Sequence, residues 1–167
     1  IKKIPILILE EPENHLFLSA QIDLSRTLFD DLNIKYIFCS SHSSELLYHI
    51  GIDCNLVRLY RQKNMPLRKT ISSSAQISSE YHNLKKMYAE GLSKGYFADC
   101  VLLVEGYSEK LLCDSILSCV LSKNQFQKLY VLPVLGTNFK PYRDLLKKLG
   151  IKIIVRTDND IYKNDIY

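Results

Sequence analysis

Apolar residues follow two periods along this chain. Unbroken apolar runs at "IPILIL" (residues 4–9), "KYIFCS" (35–40), "DCVLLV" (99–104), "KLYVLPV" (128–134) and "IKIIVR" (151–156) are bounded by polar or turn-forming residues, which predicts short buried strands. Between the first two, residues 14–32 set Leu16, Ala20, Leu24 and Leu28 at helical spacing, with Ser19 as an alternative N-cap. "SSELLYHIG" predicts a short helix closed by Gly51. Residues 108–121 and 139–149 predict two further helices. "NLVRLYRQ" alternates as a strand does, and "NMP" after it predicts a turn. The serine-rich "ISSSAQISSE" is a shift in composition and reads as a domain boundary, followed by a linking helix over "SSEYHNLKKMYAEGLSKGYF" with Ser78 or Ser79 as its cap. Strand alternating with helix predicts an α/β chain built on parallel sheet, with helices on the sheet faces. Neither an internal repeat nor a low-complexity tract is visible.

Composition sharpens this only a little. With 47% hydrophobic and 24% charged residues in 167, the chain can bury a core and is not of the disordered type. A net charge of +4 permits a nucleic-acid partner without arguing for one. No apolar run is long enough to span a bilayer and no signal peptide is visible, so a cytoplasmic protein with no membrane partner is expected. The five cysteines, Cys39, Cys54, Cys100, Cys113 and Cys119, contain no CxxC pair, which argues against a zinc site or a redox dithiol. Cys39 and Cys100 sit in apolar runs and read as small buried hydrophobes. "HSSEL" opens like an HxxEH metalloprotease motif, but Leu46 stands where the second histidine is needed. The first residue is Ile and a strand follows almost at once, so the chain reads as an excerpt of a longer protein.

Three of the apolar runs end in clustered acids: Glu10 and Glu11, then Glu105 with Glu109 just beyond, then Asp158 and Asp160. Parallel sheets bind ligands beyond the carboxyl ends of their strands. All three clusters therefore fall where such a sheet places its chemistry. Each also has a plainer reading: two acids after a strand suit a solvated loop, DxD is common in loops, and Asp165 shows acids scattered here anyway. Ser108 does not read as a nucleophile, having no nearby histidine and no glycine on each side.

"ILILEE" resembles the Walker B segment of ATP-binding cassette ATPases, in which one acid holds the magnesium on the nucleotide and the next polarises the attacking water. The resemblance gives Glu10 the metal role, although Asp is commoner there, and makes Glu11 the catalytic base. "PENHL" then matches the D-loop, which reaches a partner subunit. His42, in "SSHS" after the next strand, falls where a switch histidine senses the γ-phosphate. Magnesium suits such a site because it favours one or two carboxylates plus phosphate oxygens. No GxxxxGK[ST] occurs in these residues, so the phosphate-cradling loop of the family is not among them.

"LLVEGYSEK" followed by "TDND" resembles a TOPRIM domain, the metal-binding fold of topoisomerases, bacterial-type primases and some nucleases. Its acid-glycine is Glu105-Gly106 and its DxD is Asp158-Asn159-Asp160. Divalent-metal cleavage of a phosphodiester needs hard oxygen ligands, and packed carboxylates repel unless a cation neutralises them. Two metals can clamp the attacking and leaving oxygens. In an extended "TDND", Asp158 and Asp160 share a face. Glu109 would sit in the first turn of the next helix; "EGxxE" looks like the nuclease branch, where it adds a second-metal ligand. "VLGTNF", with Gly136 and Asn138, resembles the segment that shapes the site in that branch.

A cassette-ATPase tail joined by a helix to a TOPRIM domain resembles the OLD family (overcoming lysogenisation defect) of ATP-dependent nucleases, with Gabija-type and related antiphage effectors. The resemblance implies residues 1–70 as the C-terminal part of an ABC-type ATPase domain, 71–97 as a linking helix and 98–167 as a TOPRIM nuclease domain. It implies Mg2+ or Mn2+ held by Glu105, Glu109, Asp158 and Asp160, ATP at Glu10, Glu11 and His42, DNA as substrate, a homo-oligomer (a dimer or larger), and a regulatory or phage-derived partner. Arg58, Arg61, Lys63, Arg68 and Lys69 form a basic stretch that could touch a phosphate backbone, or a solvated hairpin. Tyr107 could position substrate or cap the sheet. The rivals are a structural DNA-clamp ATPase of the SMC or recombination type, and a gated sensor module with an inactive nuclease. A primase or topoisomerase is a weaker fit, since neither usually follows a cassette tail.

Overall fold

Valine, leucine and isoleucine without interruption make a strand that must be covered on both faces. Strand β5 (Cys100–Val104) is that strand: from Val101 onward every residue is buried. In the computed structural model it lies at the centre of a three-stranded parallel sheet between β6 (Leu129–Pro133) and β7 (Lys152–Val155). The structure describes residues 6–28, 34–48, 54–61, 70–77 and 91–158. Gly51, the "NMP" turn, Lys63, Arg68, Lys69, Ser78, Ser79, Asn159, Asp160 and Asp165 lie outside them.

The alternation of side chains along β5 separates two cores. Leu102 and Val104 pack with Val131 and with Cys113 of helix α3 (Tyr107–Val120), which connects β5 through a short α4 (Lys123–Phe126) to β6. Val101 and Leu103 face the other way, into a larger core with Tyr142, Leu145 and Leu146 of helix α5 (Lys140–Lys148), the connection from β6 to β7. The loops after β5 and β6 thus leave toward opposite faces of adjacent parallel strands. That is the topological switch that opens a crevice at the strand ends. The expected α/β class and the parallel sheet are both present. Helices predicted over 108–121 and 139–149 occupy Tyr107–Val120 and Lys140–Lys148.

The N-terminal part is a second parallel pair. Strand β1 (Ile6–Glu10) aligns with β2 (Tyr36–Ser40), with helix α1 (Leu18–Arg26) between them and helix α2 (Ser44–Tyr48) after β2. Its strands were expected to be buried, but the register Ile6↔Tyr36 and Ile8↔Phe38 puts four exposed apolar side chains on one face. No described element covers that face.

The serine-rich segment corrects the sequence reading. Residues 71–77 are strand β4 (Ile71–Ile77), antiparallel to β3 (Cys54–Tyr60), rather than the start of a linking helix. The cause is a period of two hidden by serines: Ile71, Ser73, Ala75 and Ile77 point inward and Ser72, Ser74 and Gln76 outward. Of the stretch expected as a linking helix, residues 91–95 are described and helical. Ala75 and Ile77 belong to the same buried core as Val101, Leu103 and Leu145. The hairpin therefore packs on the β5–β7 sheet.

Arg58 shows how firmly. It lies on the inward face of β3, its side chain 10% exposed. Nε donates to Tyr96 O at 2.8 Å, Nη2 to Ala98 O at 2.8 Å and Nη1 to Leu149 O at 3.4 Å. Asp99 Oδ1 lies 3.7 Å from Nη2, and the guanidinium stacks over Tyr60 at 4.8 Å from the ring centroid. Three of its five N–H donors go to backbone carbonyls and the side chain is turned into the fold beside Asp99, so the basic stretch is not read as a phosphate contact at this residue. Cys39 and Cys100 are half-buried, with burial pushing both thiols up; the buried cysteine is Cys113.

Candidate functional site

The central strand ends at Glu105, the first residue after β5 that is not fully buried. Its backbone is pinned from β6: Val104 O accepts from Val134 N–H at 2.9 Å and Glu105 O accepts from Gly136 N–H at 3.0 Å. On the other side, Arg156 N–H donates to Leu103 O at 2.9 Å and continues the β5–β7 pairing. These bonds deliver Asp158 to Glu105. The Asp158 N–H donates to Glu105 Oε1 at 2.8 Å. Glu105 is half-buried and Asp158 exposed.

Gly106 sits between the strand and α3. A Cβ on it would come within 3.0 Å of Glu109 Oε2, so the small residue lets Glu109, in the first turn of α3, lie against the strand end. Gly106 itself is the N-cap of α3 and offers no side-chain cap. Tyr107 is 62% exposed at the start of α3. Gly136 and Asn138 lie on the exposed loop after β6, where Leu135 at φ 53 and Gly136 at φ 150 turn the chain toward Glu105. Glu105 and Asp158 are thus joined at one end of the sheet, Glu109 lies in the first turn of α3 beside Gly106, and the fourth expected acid, Asp160, is outside the described residues. Among the described residues no three metal-ligating side chains converge closely enough to hold an ion by themselves. The donor set is nevertheless all carboxylate, the chemistry a hard divalent cation takes.

A second cluster lies at the end of β1 and β2. Glu10 and Glu11 are exposed, and Glu11 N–H donates to Ser40 O at 2.9 Å, extending the strand pairing by one bond. Glu11 then takes φ 42, a left-handed conformation that is strained for a glutamate. Its Oε2 accepts from Asn14 Nδ2 at 2.8 Å, and its Oε1 lies 3.6 Å from His42 Nδ1. His42 and Glu11, 31 residues apart in sequence (42 − 11), thus face each other across the two strand ends.

Glu13 was missed in the sequence. It is 3% exposed; its Oε1 accepts from Ser41 Oγ at 2.6 Å and from His42 N–H at 2.9 Å, and lies 3.4 Å from His42 Nδ1. Burial works to raise this carboxyl, but hydrogen bonds from Ser41 and from its own and His42's backbone, with the nearby imidazole, outweigh it and hold it below the usual glutamate range. The available signal was "EPEN": the loop carries a third acid two residues beyond Glu11.

Residues 96–160 match the model of the family described as "Overcoming lysogenization defect protein-like, TOPRIM domain". The chain is also similar to Endonuclease GajA of Bacillus cereus (strain VD045), 40% identical over 161 residues, which cover 95% of this chain and 27% of that protein. The chain thus spans about a quarter of the length of the curated relative it matches.

Proposed function

This chain belongs to the OLD-like family through its TOPRIM domain, residues 96–160, and from that premise we propose that it is part of an ATP-regulated, divalent-metal-dependent DNA endonuclease. The observation that carries the reading is the bond between Glu105 and Asp158 at the carboxyl end of a parallel sheet. Glu105, Glu109 and Asp158, with Asp160, would hold Mg2+ or Mn2+. Such an ion would supply Lewis-acid activation of the phosphate and of the attacking water. The chain's own part is to fix the carboxylates. Glu105 follows directly on the central strand and is held by bonds from Gly136 and Asp158, in the segments that follow its two neighbouring strands. The buried β5 behind it lowers the local dielectric and strengthens its attraction for a cation. The similar protein is named an endonuclease, which agrees with this assignment.

In the same reading residues 1–70 are the C-terminal part of an ABC-type ATPase domain. Glu10 holds the magnesium of bound ATP, Glu11 orients the attacking water, and His42 senses the γ-phosphate. A homo-oligomer, a phage-defence role and a regulatory or phage-derived partner complete it.

The test is Asp158→Ala in the intact protein. The Glu105 bond uses the backbone N–H of residue 158, so alanine keeps it and the fold should hold. Metal-dependent cleavage of plasmid DNA should be lost while ATP binding is unchanged. Cleavage at the parental rate by Asp158→Ala would remove the nuclease assignment and favour a structural DNA clamp.

A further inference from the structure

Among the described residues Glu13 is the one charged side chain that is buried. Its loop is the segment that resembles one reaching a partner subunit, yet the carboxylate points inward. Oε1 holds the start of the β2–α2 turn through Ser41 Oγ and the His42 N–H, and Ser41 Oγ in turn accepts from Ser43 N–H at 3.0 Å. Its own loop is held at the other end by the Glu11–Ser40 backbone bond. Two non-glycine residues with positive φ, Glu11 at 42 and His15 at 65, bracket the loop, so the chain accepts strain to turn residue 13 inward.

Oε2 is buried and has no hydrogen-bond partner. The two bonds to Oε1 do not by themselves call for a charge. A neutral side chain of the same length would accept the same two bonds without a desolvated anionic oxygen. What the carboxylate adds is contact with the imidazole, 3.4 Å from Nδ1, on the side opposite Glu11.

We propose that Glu13 is a positioning residue, tying the loop that carries Glu11 to the turn that carries His42 and so setting the spacing of base and imidazole at the nucleotide site. This rests on the reading of Glu11 and His42 as nucleotide-site groups. Glu13 acts through its two neighbours, by its bonds to the turn that carries His42.

The experiment measures ATP turnover and KM of the intact protein with Mg2+, comparing Glu11→Gln, Glu13→Ala, Glu13→Gln and Ser41→Ala. Glu13→Ala should lower kcat on the order of 10²-fold, the cost of misplacing a reacting group by about 1 Å, with KM changed by less than about threefold. Glu13→Gln keeps an acceptor for Ser41 and His42 and should recover at least about tenfold over alanine, which a lost base or metal ligand would not. Equal loss in both variants makes Glu13 a chemical group and overturns the positioning role. So does full turnover in Glu13→Ala while Glu11→Gln is inactive. No turnover in the parent protein, or unchanged turnover in Glu11→Gln, overturns the nucleotide-site reading and this role with it. If Glu13→Ala does not fold, Ser41→Ala decides: it removes one donor to Oε1, and parental kcat in it overturns the proposal.

Discussion

The Asp158 N–H donates to Glu105 Oε1 at 2.8 Å, joining residues 53 apart in the chain. The bond has two separable parts, an acceptor oxygen and a negative charge. Glu105→Gln keeps the first and loses the second. The intact Glu105→Gln protein should melt within about 2 °C of the parent, as expected when less than about 1 kcal/mol is lost. Its Mn2+ affinity at the TOPRIM site should fall by at least about tenfold, the least that loss of even a supporting group costs a metal site. Calorimetric titration with Mn2+ together with a thermal melt reads both. Unchanged Mn2+ binding would take Glu105 out of the ligand set.

Arg58 yields a prediction of the opposite kind. Its guanidinium holds three carbonyls, two of them just before β5 and one just before β7. Arg58→Met fills similar space and leaves those acceptors unpaired. It should destabilise the intact protein by about 2–3 kcal/mol, in the range for hydrogen bonds to a charged group. DNA affinity of the folded fraction should not change, nor its dependence on salt. A weaker salt dependence would mean that Arg58 does meet phosphate.

The sheet was legible because β5, β6 and β7 are near-continuous apolar runs, and such runs have few other places to go. Glu105 and Asp158 were legible as strand-end acids for the same reason. Strand β4 was not, because serine at five of the ten positions of "ISSSAQISSE" hides a period of two behind a linker-like composition. What places β4 is a long-range partner, β3, and no local window contains it. Arg58 was misread by its charge: sequence shows a cation among cations, whereas the fold surrounds it with carbonyl oxygens. Glu13 was overlooked because burial of a carboxylate depends on Ser41 and His42, from a different strand end.

Gly150 tests the seating of the hairpin. It turns the chain from α5 to β7 at φ 71, and a Cβ there would lie 2.6 Å from the Tyr60 hydroxyl oxygen and 3.1 Å from Ser73 Oγ. Gly150→Ala should cost about 1–3 kcal/mol from the backbone conformation alone. Tyr60→Phe in the same background removes the nearer oxygen and should restore part of the loss, but not all, since the ring carbon 2.9 Å from that Cβ and the positive φ both remain. Full restoration would place the whole effect in the clash and none in the backbone. Thermal melts of the two single variants and the double variant separate these contributions.

Acid should loosen the Glu13 contact in a predictable direction. Its carboxyl titrates below the ordinary 4.5 in the folded protein. The charged form therefore contributes stability that is fully present above the unfolded value and is lost as pH falls through the lowered folded value. Many carboxylates titrate in that range, so the comparison must be with Glu13→Gln, which shares every other acid and does not titrate at residue 13. The local readout is hydrogen exchange in the peptide over residues 41–46, which includes the His42 N–H that Oε1 accepts. After correction for intrinsic rates, protection in the parent is compared with Glu13→Gln from about pH 5.5 downward, above the reference glutamate value and below the reference histidine value. Below 4.5 it should fall relative to the variant, because protonation weakens the acceptor and removes the charge facing the imidazole. A parent that gains protection over Glu13→Gln as pH falls below 4.5 would mean that burial dominates instead, and that the carboxyl is held neutral more easily than in water.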